Sequence, residues 1–135
     1  MARFNNRRLA ALVIAGSALA LAGCSGPAGY AALDRDAEPS GALPEELPAY
    51  ALENVDEGSA RHIGTDEGTD LWLLRAEHGS EVCVLAYPDA VDWVMGCGGE
   101  GAVTVDGPAG SFAVQPDGAT PPTDATRISD NVFRL

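Results

Sequence analysis

The sequence predicts a mainly β protein: a small antiparallel meander or partly closed sheet with one disulfide, preceded by a disordered tether. Three observations predict it. From about Ala60 onward, short apolar runs are separated by Gly, Pro and Asp, the punctuation of strands joined by turns. Two cysteines, Cys83 and Cys97, fall opposite each other when the strands that carry them are paired. Upstream, residues 25–48 are rich in Ala, Gly, Pro, Asp and Glu, with apolar residues that follow neither a helical nor a strand period.

The elements follow in order. Residues 24–48 read as a flexible, self-repelling linker, spanning on the order of 25 to 30 Å as a coil. Leu47, Tyr50, Leu52 and Val55 form a short helical or irregular lead-in to a β domain over 49–135. Arg61 to Gly64 is a first short strand, and Asp66-Glu67-Gly68 is its turn. Asp70 to Glu77 alternates Leu71 and Leu73 with Trp72 and Leu74, so both faces are apolar and the strand belongs in the middle of a sheet. Glu77 to Ser80 turns the chain into Glu81–Tyr87, which pairs with Trp93–Cys97 across the loop Pro88 to Asp92. That loop length sets Tyr87 against Trp93, Leu85 against Met95 and Cys83 against Cys97, all on one face. Ala102–Asp106 and Ser111–Gln115 form a hairpin turned at Gly107-Pro108-Ala109-Gly110, and Thr126–Leu135 offers Ile128, Val132 and Phe133 as a closing strand.

The N-terminus carries an address. Arg3, Arg7 and Arg8 precede the apolar run Leu9–Ala22, which would rise only about 21 Å as a helix, short of the ~30 Å hydrocarbon core of a bilayer. Basic start and short apolar run are the layout of an export signal over residues 1–23. Leu21-Ala22-Gly23-Cys24 resembles the lipobox of bacterial lipoproteins. The resemblance implies cleavage before Cys24, a diacylglyceryl group on its sulfur, and a mature chain anchored on the outer side of the cell membrane, since two acyl chains hold where one does not. Cutting after Ala22 by an ordinary signal peptidase is the alternative. Arg7-Arg8 alone does not distinguish the twin-arginine route from the general one.

Charge narrows the partners. The chain has 20 acidic residues and 8 arginines, and the three arginines before Cys24 leave with the signal, so the mature protein carries a formal charge of −15. Such a surface repels phosphate backbones and anionic headgroups, which excludes nucleic acid and leaves the lipid as the means of membrane attachment. In an exported protein whose Cys24 is acylated, Cys83 and Cys97 remain as a disulfide pair.

Candidate chemistry is sparse. His62 and His78 have no metal-ligand spacing and no acid partner at motif distance, and they read as an edge and a turn histidine. Asp56, Glu57, Asp66, Glu67 and Asp70 cluster in sequence without the offsets of a calcium loop, so a solvated turn is the simpler reading. Gly96, Gly98, Gly99 and Gly101 fit a tight hairpin with positive φ angles rather than a phosphate loop. Ser59, Ser80, Ser111 and Ser129 lack a nucleophile elbow. Trp72, Tyr87 and Trp93 would line a shallow ligand groove if the sheet is open on one side, although core packing accounts for them equally well. No metal or cofactor is expected.

The runs Gly68–Arg75, Glu81–Pro88, Trp93–Gly99 and Gly107–Gly118 resemble those of small secreted lipoproteins of high-GC Gram-positive bacteria, a group to which no common activity is attached. The expectation is a lipid-anchored, non-catalytic binding or interaction module at the cell envelope, with a protein of the envelope as its partner. Two alternatives stay open: a receptor for a small ligand or cation, such as calcium or a cationic peptide, and a hydrolase. A histidine buried beside a carboxylate in a pocket would favour the last.

Overall fold

Among the described residues, apolar alternation in the punctuated runs produces eight antiparallel strands in two sheets. The computed structural model describes residues 29–79, 81–99 and 102–135; Cys24 and the export signal lie outside the described residues. The first sheet contains β1 (Val55–Asp66), β2 (Thr69–Ala76), β3 (Val82–Tyr87) and β4 (Val94–Gly98), side by side in that order. The second contains β5 (Val103–Gly107), β6 (Gly110–Val114), β7 (Thr126–Arg127) and β8 (Val132–Arg134), in the order β5-β6-β8-β7. The sheets do not close into a barrel.

β2 lies inside its sheet, as its two apolar faces require. Leu71 and Leu73 join Val82, Val84 and Ala86 on the face turned to the second sheet, where Val103, Val105, Phe112, Val114 and Val132 complete the core. Trp72 and Leu74 face the other way and pack with Cys83 and Leu85 into a second apolar layer, which Leu43, Leu47, Ala51 and Leu52 cover. The β3–β4 ladder pairs Leu85 with Met95 and Cys83 with Cys97, and the two cysteines are bridged. Of the expected face-sharing pairs, only Tyr87 with Trp93 falls outside the ladder, which ends at Ala86 and Val94.

Four sequence expectations are corrected. Residues 29–48 are not a free linker. Tyr30, which precedes one helical turn, α1 (Ala31–Asp34), and Leu33 within it are buried in the core between the sheets, and Leu47 is buried in the outer layer. Arg61 Nε donates to the Arg35 carbonyl at 2.7 Å, Trp72 Nε1 to the Gly41 carbonyl at 2.9 Å, and Arg75 pairs with Asp34 at 2.7 Å, so the segment forms a strap pinned to the first sheet. The first strand is also longer than Arg61–Gly64. It begins at Val55, and a bulge between Asp56 and Arg61 hides its alternation. Ser59 fills that bulge, donating to the Asp56 carbonyl and accepting from the Arg75 N–H.

The tail is a hairpin rather than one strand, because the Ser129 hydroxyl accepts from the Asn131 and Val132 N–H groups and reverses the chain between β7 and β8. Lastly, Gly96 and Gly98 lie in β4 and neither has a positive φ. A Cβ on Gly96 would stand 2.5 Å from Val105 Cγ1, and one on Gly98 3.0 Å from Val103 Cβ. These glycines let β4 and β5 bring the two sheets together at one edge. We expect Gly96→Ala to destabilise the domain by about 1 to 3 kcal/mol through overpacking. In thermal melts, adding Val105→Ala should recover part of that loss; no recovery would place the strain elsewhere.

The strand directions give the molecule two ends. Gly98 approaches Val103 and Gly107 approaches Val94, so the ends of the sheets coincide along this edge. One end carries the β2–β3 and β4–β5 links and the exit of β6, where the Asp117 N–H donates to the Gly29 carbonyl and Asp117 Oδ2 accepts from the Ala31 N–H at 2.7 Å. The described chain therefore enters at this end. The β1–β2 turn and the loop Pro88 to Asp92 lie at the opposite end, where Arg134 of β8 pairs with Asp66 at 3.0 Å and Glu67 at 2.6 Å.

Candidate functional site

The aromatic residues singled out in the sequence meet on the outer face of the first sheet, but in two different roles. Trp72 is 5% exposed, with its edge-on neighbours His62 and Tyr87 at ring distances of 5.0 and 6.4 Å. It is a core residue beneath the strap, not the lining of a groove. Tyr87 and Trp93 are half-buried at the far end. Partial burial and the nearby carboxylates of Glu46 and Asp89 push the Tyr87 phenol above its ordinary range.

Trp93 finds its partner just past the strap, in the short 3-10 turn Ala49–Leu52. The Tyr50 ring lies 6.0 Å away at 41° and is 67% exposed. Beside Trp93 in the chain, Asp89 Oδ1 accepts from the Val91 N–H at 2.8 Å and the Asp92 N–H at 2.7 Å, which holds its carboxyl below the usual carboxylate range. This Asx-type turn keeps Val91 84% exposed at the tip of the loop. Tyr50 and Val91 escape a sequence reading based on periodicity. The signal for Val91 is an aliphatic residue alone in a Pro–Asp loop; Tyr50 offers none, since its partner is distant in the chain.

The histidines separate. His78 is exposed in the β2–β3 turn. His62 is half-buried on β1, with Nε2 3.0 Å from Asp70 Oδ1, the same oxygen that accepts from Thr65 Oγ1 at 2.5 Å. It lines a hollow of about 90 Å³ with Arg35, Ser40 and Arg61. Among the described residues no hydrogen bond joins His62 to a serine. The Thr65 hydroxyl lowers the Asp70 pKa most, burial opposes it, and the hydrogen bond and charge of His62 add to the lowering, so the net shift is downward. A depressed carboxylate contributes stability above its unfolded value and loses it as pH falls through its folded one. The wild type should therefore lose more stability than Asp70→Asn as pH drops below 3.8, read as a steeper fall in melting midpoint; parallel curves would contradict it.

The five carboxylates that cluster in sequence disperse. Asp66 and Glu67 pair with Arg134, Asp70 with His62, and Asp56 Oδ1 accepts the Gly58 N–H. Among the described residues no three His, Cys, Asp or Glu side chains converge as metal ligands would. Nor, among them, is any helix long and apolar enough to cross a membrane. Compared with protein families, curated proteins and solved structures, the chain matches none.

Proposed function

We propose that this protein is a lipoprotein of the bacterial cell envelope, held by an acylated Cys24 on the outer side of the membrane, and that its β domain is a non-catalytic binding module for an envelope partner. The observation that carries the reading is where Gly29 is held. The Asp117 N–H donates to its carbonyl, at the end of the fold that carries the β6 exit. Gly29 lies five positions after Cys24, a contour length of at most about 18 Å. A domain held that closely turns its Asp117 end toward the bilayer and its Tyr50–Val91–Trp93 end outward, where a partner can reach it.

Cys24→Ala tests the anchor. The variant should leave the membrane fraction and appear in the soluble exported fraction; retention on the membrane would overturn it. Energy transfer from dyes at position 78 or 91 to an acceptor in the bilayer tests the orientation, with the stronger transfer expected from 78. Equal or reversed transfer in an acylated protein would show that the tether does not orient the domain. A hydrolase is the second reading, favoured by the His62–Asp70 pair beside a hollow that Ser40 also lines. Ester hydrolysis abolished by His62→Ala would support it.

A further inference from the structure

We infer that the Tyr50–Val91–Trp93 patch is the binding surface, and that its occupant is a cationic polypeptide segment bearing an apolar side chain. This deepens the binding-module reading and rests on it. The patch combines exposed apolar groups with acidic surroundings. Its apolar groups are held out by specific structure: Asp89 fixes the loop that presents Val91, and Tyr50, in the turn after the strap, packs against Trp93. Its surroundings are acidic, with Glu46 beside the Tyr87 phenol, Asp89 under the loop and Asp92 closing it. Aromatic rings with an aliphatic tip accept an apolar anchor, and the carboxylates around them attract lysine or arginine on either side of it.

Charge also decides among occupants. A second copy of this chain brings the same −15 and is repelled, as are anionic headgroups, while a basic segment is steered in. The patch lies at the end opposite the chain entry, so the bilayer does not compete for it.

The test is calorimetric titration of the whole mature chain, residues 24–135 with Cys24→Ser, against two synthetic peptides of equal charge, one alternating lysine with leucine and the other lysine with glycine. The lysine–leucine peptide is expected to bind at least tenfold more tightly. Val91→Asp and Tyr50→Ala, each at a solvent-exposed position and each checked for an unchanged melting midpoint, should reduce its affinity to that of the lysine–glycine peptide. Equal affinities for the two peptides, absence of binding, or lysine–leucine binding that survives Val91→Asp would each overturn the assignment. The last would still leave a binding role for the protein, exercised elsewhere on its surface.

Discussion

A chain that begins at Ala49 is expected to be largely unfolded at room temperature, whereas one that begins at Gly29 should melt as the full mature chain does. The shorter chain keeps every strand, yet it loses Tyr30 and Leu33 from between the sheets and Leu47 from the outer layer. Burying a large apolar side chain is worth ~1.5 to 3 kcal/mol, so the three together supply on the order of 5 kcal/mol. A small domain has only about 5 to 15 kcal/mol in total. The truncation also frees the Trp72 indole N–H from Gly41 and opens Trp72 and Leu74 to water. Circular dichroism melts of the two chains decide the matter. Coincident midpoints would make the strap a passive linker, as its composition suggests.

Reduction of the Cys83–Cys97 bridge should lower stability by about 3 kcal/mol, the loop-entropy value for its span, corresponding to roughly 15 °C in melting midpoint for a domain of this size. The two cysteines are not equivalent. Cys97 is exposed on the edge strand, while Cys83 is fully buried beside Leu74 and Leu85. Cys97→Ser removes the bridge alone, whereas Cys83→Ser also buries a hydroxyl without a partner, at an added cost of about 1 kcal/mol or more. Cys83→Ser should accordingly melt below Cys97→Ser, and both below the oxidised wild type. Midpoints insensitive to reductant would mean that the β3–β4 pairing holds without its crosslink.

How much of this is legible in the sequence depends on whether a feature is local. The β3–β4 register follows from one loop length and the period of a strand, and Leu85–Met95 and Cys83–Cys97 pair as that arithmetic requires. β2 announces its central place because all four of Leu71 to Leu74 are apolar. The strap is not legible, since Tyr30, Leu33 and Leu47 are anchors at irregular intervals and reach two different layers. A periodic signal cannot arise from contacts made with elements that the chain has yet to form. The glycines near Cys97 mislead for a related reason: a positive φ and a close approach both require the loss of Cβ, and only the position of Val105 tells them apart.

The same distinction runs through the site. Tyr87 and Trp93, named from the sequence as aromatic residues at strand ends, stand half-buried at one end of the first sheet, while Trp72, chosen on the same ground, is taken up by the core. Tyr50 completes the patch from across the fold. His62 acquires Asp70 as a partner because β1 and β2 pair, bringing together side chains that match no motif spacing.

We propose a small bridged domain fastened by a lipid on Cys24, five positions before Gly29. The intact mass of the protein extracted from membranes tests this most directly. The result predicted is a polypeptide of residues 24–135 carrying a diacylglyceryl group on Cys24 and lacking the two hydrogens lost on joining Cys83 to Cys97. An unmodified Cys24, a different first residue, or free thiols at 83 and 97 would contradict it.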